Sequence, residues 1–440
     1  LTSANLSPDK ACKDQWSLNL TSGPLRSLKW NTFSNALANL IKGGCQLGLV
    51  IALAKLGSKE WVGQYALGVA VAWPVFLLAD LQLRVVQATD AKDDFHFGHY
   101  LGLRLLTSPL AFLVVIGLTW VLGYRWETAI VIAGVALSRG LDSLADCIHG
   151  GMQKYERLDL VSLSTIMRNL GSVAIFITVL YASGLLLLAV LTQAVAGILV
   201  LLAFDCPQGA KILGLKTGIW MPRFDRRVLW QLVRLAFPLG MVTMIISINA
   251  NLPRYLLEHS LGEGAVGIFA ALSQPTLAGG MVMAALGHSI MPRMARGFAI
   301  GNLNYLTRMV WRLMGLGALI GGVMMVGVWG WGREIISLIY QPEYAEHQTI
   351  LVWLMAAGIV GYISSGLGYG LNATRAYSRY LVFYAISAGL GIILGMLLIP
   401  AFGLKGAAWT ICGSNLLSCL SLGWLFLVLR RKGGRTAARI

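Results

Sequence analysis

From residue 32 to residue 429 the chain alternates apolar stretches of about 20 residues with short polar intervals, and each stretch is long enough to cross a hydrocarbon core of roughly 30 Å as a helix. The pattern predicts an all-α integral membrane protein with spans at 32–54, 62–83, 102–123, 128–149, 159–182 and 184–204, then 233–253, 265–288, 309–331, 350–371, 379–399 and 406–429. The longest internal polar stretch separates these about 12 helices into two sets of six. The expected organisation is a lead-in over 1–31, an N-terminal six-helix lobe over 32–205, a basic linker over 206–231, a C-terminal lobe over 232–429 and a basic tail over 430–440.

An internal echo accompanies the division. Leu56-Gly57 followed by Val62-Gly63-Gln64-Tyr65-Ala66 resembles Leu261-Gly262 followed by Val266-Gly267-Ile268-Phe269-Ala270. Each pattern joins the first helix of its half to the second in the same direction, so the halves read as parallel repeats. The alternative is that Gly-aromatic-Ala is simply common where membrane helices begin.

Composition agrees with lipid as the main solvent: 57% of residues are hydrophobic, 12% are charged and the mean hydropathy is +0.70. In a soluble protein the net charge of +16 would point to nucleic acid, but in a membrane protein the placement of the cations is more telling. Of the 35 Lys and Arg, 26 fall on the side of the N-terminus and 6 on the other, while Lys42, Arg139 and Arg168 lie within spans. The positive-inside rule therefore puts both termini in the cytoplasm, and no nucleic-acid partner is expected. The leading segment, with Lys10, Lys13, Arg26 and Lys29, lacks the apolar core of a signal peptide and reads as cytoplasmic. On such a leader the sequons at Asn5 and Asn19 carry no weight.

Enzymatic chemistry has little to stand on. The six cysteines (Cys12, Cys45, Cys147, Cys206, Cys412 and Cys419) are scattered, so neither a structural disulfide nor a metal site is expected. His96 and His99 beside Asp93 and Asp94 imitate ligand spacing but read as a solvated loop. No GxxxxGK[ST] occurs, and the outer connections are too short to build a catalytic site, so no cofactor is expected.

The informative residues are polar ones inside spans, because an ionisable group in hydrocarbon is costly unless it meets a partner or a watery cavity. Lys42 lies halfway along the first helix with no carboxylate within one turn, so it is expected to face a cavity. In the fourth helix Arg139, Asp142, Asp146 and His149 recur at steps of three, four and three and share one face, and Arg168 sits at similar depth in the fifth. Arg139 and Asp142 read either as pathway residues or as a mutually satisfied structural pair. Asp80 and Arg84 read as an interfacial ion pair outside the site. In the seventh helix Asn249, Asn251 and Arg254 surround Pro253, which frees carbonyls, and Gln274-Pro275 offers the same in the eighth. Lys42, Arg139, Arg168 and Arg254 together outnumber the carboxylates assigned to them, so the cleft is expected to favour an anion, with phosphate oxygens suited to the Arg fork. The 51 glycines permit close helix contact and bending.

Several of these segments resemble a known family, the polysaccharide biosynthesis transporters or Wzx-type O-antigen flippases of the multidrug, oligosaccharidyl-lipid and polysaccharide exporter (MOP, MATE-like) superfamily. Arg234-Leu-Ala-Phe-Pro-Leu-Gly240, leading through Asn251-Leu-Pro-Arg-Tyr255 to Leu261-Gly262 and Val266-Gly267-Ile268-Phe269, looks like the family's seventh-helix signature. Gln87-Ala-Thr-Asp90, Tyr100-Leu-Gly-Leu-Arg104 and Gly403-Leu-Lys-Gly-Ala-Ala408 add further matches. The resemblance implies two six-helix lobes in a cell inner membrane, moving an undecaprenyl-pyrophosphate-linked oligosaccharide from the inner to the outer leaflet by alternating access coupled to an ion gradient. Polar residues of the first and seventh helices line the cleft in such proteins, which here correspond to Lys42, Asn249 and Arg254. The family also implies a polysaccharide polymerase and a chain-length regulator as partners, and Asp142 and Asp146 are the candidates for ion coupling. Two other readings remain open: a proton- or sodium-coupled exporter of small amphipathic compounds, and a polytopic polymerase or glycosyltransferase.

Overall fold

A computed structural model describes residues 28–90, 94–213, 221–374 and 377–436. The lead-in with Lys10, Lys13 and Arg26, both sequons, Cys12, Lys92, Asp93 and Arg375 lie outside the described residues. All regular secondary structure among the described residues is helical, with no strand among them. The N-terminal half comprises α1 (Leu28–Leu56), α2 (Lys59–Asp80), the short α3 (Leu83–Thr89), α4 (Phe97–Val121), α5 (Trp126–Lys154), α6 (Leu158–Ser183) and α7 (Leu186–Val200). A π turn over Leu201–Asp205 carries α7 straight into α8 (Cys206–Ile212). The C-terminal half holds α9 (Arg226–Leu261), α10 (Glu263–Ala299), α11 (Leu303–Ile339), the short α12 (Pro342–Ala345), α13 (Gln348–Ala373) and α14 (Tyr377–Thr436).

Local chemistry marks the helix ends. The Ser58 hydroxyl accepts from the Trp61 amide at the start of α2, and the Asp225 carboxylate accepts from the Arg227 and Val228 amides at the start of α9. His96, read as part of a solvated loop, is the N-cap of α4 and accepts from the Gly98 amide. Gly184, in the left-handed region at φ 63°, closes α6.

Eleven helices among the described residues are long and apolar enough to span a membrane. The last of them, Ala388–Val428, is really two crossings. Unbroken, the 60 residues of α14 would run about 90 Å, far beyond the roughly 30 Å core. Gly403 (φ 57°, ψ −129°) breaks the helix, and the two arms fold back on each other. Gly391 faces Ser414, Gly395 faces Thr410 and Gly406 faces the Leu398 carbonyl, which is antiparallel register. The described residues therefore hold twelve crossing segments, and their two ends emerge on the same side.

Helix pairing repeats between the halves. The second crossing helix packs on the fourth in each (α2 on α5, α10 on α13), and the third on the fourth (α4 on α5, α11 on α13). Between halves α2 packs against both α9 and α10, while α10 also reaches α1. Gly63 and Gly267, the matched glycines of the sequence echo, meet at the α2–α10 crossing. Tyr255 donates from its hydroxyl to the Ala70 carbonyl, Lys59 pairs with Glu343 at 3.1 Å and Gln64 donates to Glu263 at 3.0 Å. These contacts tie the halves together at the end of the bundle away from the central linker.

Candidate functional site

The polar stripe of α5 lies on one face of the helix, as its spacing requires, but its partners come from other helices. Arg139 does not pair with Asp142. Its guanidinium donates to Asp80 of α2 at 2.7 Å and lies 5.2 Å above the Trp73 ring. Asp80 also accepts from Arg104 of α4 and, at 2.5 Å, from the Ser143 hydroxyl. The expected Asp80–Arg84 interfacial pair is therefore corrected: Asp80 is an interior anchor for two arginines, and Arg84 instead reaches Asp146 at 3.0 Å and Gln153 at 3.0 Å. An offset of four brings two residues together only on a continuous helix, but α2 ends at Asp80, where Leu81 and Gln82 take left-handed backbone (φ 50° and 51°), and guanidinium groups from α4 and α5 reach Asp80 instead.

Arg168 of α6 bridges Asp142 at 2.7 Å and Asp205 at 2.8 Å. Asp205, completely buried, also meets His149 at 3.2 Å, and His149 shares its Nε2 with the Ser164 hydroxyl at 3.2 Å. The π turn carries Asp205 at its end, and such single-turn widenings recur at functional positions.

Arg84, Arg139, Asp142, Asp146, His149 and Arg168 of this cluster border a cavity of about 210 Å³ among α1, α2, α5, α6 and α7, which Lys42, Tyr65, Trp73 and Gln193 also line. Four aspartates (Asp80, Asp142, Asp146, Asp205) engage four arginines (Arg84, Arg104, Arg139, Arg168). The expected surplus of free arginines is thus corrected, since Arg139 and Arg168 are already held in ion pairs. Lys42, exposed to the cavity, has no ion pair among the described residues.

The seventh-helix residues lie elsewhere. Arg254 on α9 donates to Asn251 at 2.6 Å, Asn251 donates to the Ser247 carbonyl at 2.9 Å, and Arg254 meets no carboxylate among the described residues. Asn249 lines a second cavity, about 440 Å³, within the C-terminal half. The resemblance implies one cleft lined by Lys42, Asn249 and Arg254, whereas Lys42 and Asn249 line separate cavities in the two halves. Asp80, Arg104 and Asp205 were missed as site residues. All three sit at or near the ends of predicted spans, where a charge is usually solvated, and no spacing rule links them to their partners.

Twelve crossings among the described residues, arranged as two pseudo-repeated halves that each enclose a polar cavity, define a polytopic membrane protein. The chain belongs to the polysaccharide biosynthesis protein family, whose model matches residues 28–298. It is 25% identical over 395 residues to the capsular polysaccharide biosynthesis protein CapF of Staphylococcus aureus, covering 89% of this chain and 97% of that one. Its fold is similar to that of the lipid II flippase MurJ in an inward closed conformation (TM-score 0.68, 14% identity, 93% of this chain and 91% of that one). It is similar also to an inward-facing multidrug resistance MATE family transporter (TM-score 0.59, 14% identity, 97% and 98%). The solved proteins that share this fold are a flippase and a multidrug transporter.

Proposed function

We propose that this protein is a transporter of the MOP type that carries a polyprenyl-pyrophosphate-linked oligosaccharide, an O-antigen or exopolysaccharide repeat unit, from the inner to the outer leaflet of the cell inner membrane by alternating access. The observation that carries the reading is Lys42. It is a membrane-interior cation without an ion pair among the described residues, in a cavity whose other cations are held by carboxylates. An arriving pyrophosphate meets this ammonium first and then competes with Asp80 and Asp142 for Arg139 and Arg168, whose Nε donors are without partners. Exchange of one anion for another lets the site bind charge without leaving guanidinium groups bare when empty. Arg254, lacking a carboxylate, is a second anion contact nearer the outer end, and Asn249 adds a polar one.

Ion coupling fits Asp142 and Asp146, since both line the cavity and both are partly exposed to it. Protonation of either carboxylate would loosen Arg168 or Arg84 and change the anion affinity of the pocket. The lopsided distribution of Lys and Arg supports cytoplasmic termini. A polysaccharide polymerase and a chain-length regulator are the partners such a cargo calls for.

The test is complementation of a flippase-null bacterial strain with wild type, Lys42→Ala and Arg254→Ala, scoring surface polysaccharide at matched membrane expression. Rescue by wild type and loss in both variants supports the reading. Absence of rescue across several glycan backgrounds overturns it in favour of a proton- or sodium-coupled exporter of small amphipathic compounds.

A further inference from the structure

The cavity of the C-terminal half differs in chemistry from that of the N-terminal half. Among the described residues its lining holds no Asp, Glu, Lys or Arg. It is built instead from amides and hydroxyls at helical spacing: Gly361, Ser365, Gly368 and Asn372 follow one face of α13, while Ser414 and Ser418 stand one turn apart on the second arm of α14. Four of the lining side chains, Asn249, Asn372, Ser414 and Ser418, have no side-chain hydrogen bond to any described residue. The contrast with neighbouring polar groups is clear, because Ser365 bonds back to the Gly361 carbonyl at 2.9 Å and Asn415 donates to the Ala357 carbonyl at 2.8 Å. Inside a membrane protein, unpartnered amides and hydroxyls are costly unless water or a polar ligand meets them.

We infer that this uncharged cavity is the subsite for the sugar portion of the cargo, complementary to a pyrophosphate held at Lys42. The inference rests on the flippase reading above. A sugar is a neutral polyol whose hydroxyls both donate and accept, which matches amides and hydroxyls with free capacity on both sides. An anion would find no countercharge here, and a hydrocarbon tail would strand the four polar groups. Tyr369 and His288, packed edge to face at 5.3 Å, supply aromatic rings for the C–H faces of a pyranose. Gly361 keeps the wall thin, since a Cβ there would lie 2.9 Å from the Asn415 amide nitrogen. The volume, about 440 Å³, falls within the range of about 300–1,000 Å³ usual for small-ligand pockets. Charge selection and glycan selection are then divided between the two halves, so exchanging residues in this cavity changes which oligosaccharide is accepted without altering the anion site.

The test uses the full chain in lipid nanodiscs with two probes, undecaprenyl pyrophosphate and the undecaprenyl-pyrophosphate-linked oligosaccharides extracted from the host membrane, with binding read by native mass spectrometry. Wild type is expected to prefer the sugar-bearing lipid by at least about tenfold, or roughly 1.4 kcal/mol. The double variant Asn372→Leu with Ser418→Leu is expected to erase that preference while holding bare undecaprenyl pyrophosphate as wild type does, which also shows that it is folded. Ser418→Thr, which keeps the hydroxyl, is expected to retain the preference. Equal loss of both lipids in the double variant, or an undiminished preference, overturns the subsite. If wild type binds both lipids equally, the subsite falls and the flippase reading stands. If wild type binds neither, the flippase reading itself falls and takes the subsite with it.

Discussion

Gly63 of α2 and Gly267 of α10 lie back to back where the two halves cross, so close that a methyl group on Gly63 would overlap the Glu263 carbonyl and one on Gly267 the Lys59 carbonyl. The two glycines hold the same place in the matched Val-Gly motifs of the two halves. A pseudo-symmetric contact of bare backbone lets α2 and α10 approach far more closely than side chains permit, as small residues do at membrane-helix interfaces. The contact seals the end of the bundle opposite the linker, where Lys59–Glu343 and Gln64–Glu263 reinforce it.

Gly267→Val is therefore expected to wedge the halves apart at that end. The cost is that of overpacking, about 1–3 kcal/mol, read as a lowered melting temperature in detergent together with impaired complementation. A variant as stable and active as wild type would show that the close approach is dispensable.

Asp205→Ala removes a fully buried carboxylate from both Arg168 and His149. Breaking a buried pair from one side typically costs about 3–5 kcal/mol, so a marked loss of thermal stability is expected. Lys42→Ala, which breaks no ion pair among the described residues, is expected to leave the melting temperature near that of wild type while abolishing transport. Similar melting curves for the two variants would contradict the separation of structural from cargo-facing charge.

Asp80 holds Arg104, which is fully buried and whose Nε and Nη2 already lack partners, as well as Arg139. Asp80→Ala should destabilise the protein more than Arg139→Ala, because it strands the buried Arg104, whereas Arg139→Ala leaves Asp80 bonded to Arg104 and Ser143. Adding Arg104→Met to Asp80→Ala is expected to recover part of the loss, since a buried cation without its partner is worse than neither. Thermal melts of wild type, Asp80→Ala, Arg104→Met and the double variant form a double-mutant cycle, and strict additivity would mean that Asp80 and Arg104 do not interact.

Asp142→Asn and Asp146→Asn together remove the two carboxylates that face Lys42's cavity. Flux of lipid-linked oligosaccharide in reconstituted vesicles is expected to lose its dependence on an imposed pH gradient. Unchanged flux with an unchanged pH profile would end the case for these residues in ion coupling.

The α5 stripe shows how far pattern reading reaches. A period of 3.6 residues puts Arg139, Asp142, Asp146 and His149 on one face, and the structure keeps them there. It could not say that Arg139 would turn to Asp80, 59 residues earlier, or Asp142 to Arg168, 26 residues later. The C-terminal cavity was invisible for another reason. Ser, Thr and Asn in membrane helices often bond back to the carbonyl one turn earlier, as Thr410 does to Gly406 and Asn251 to Ser247. Sequence alone does not separate these from Ser414 and Ser418, whose side chains bond to no described residue and line the cavity.

The number of crossings, their division into halves and the identity of the ionisable residues inside them were determined by sequence alone, because hydrocarbon thickness sets the length of an apolar run and the cost of a buried charge makes each exception conspicuous. The tertiary structure decided which charges satisfy one another, which single lysine is left open to the cavity and where the neutral polar groups converge. Those outcomes depend on which helix faces pack together over long separations in the chain, and the local periodicity of any one helix carries no record of its neighbours.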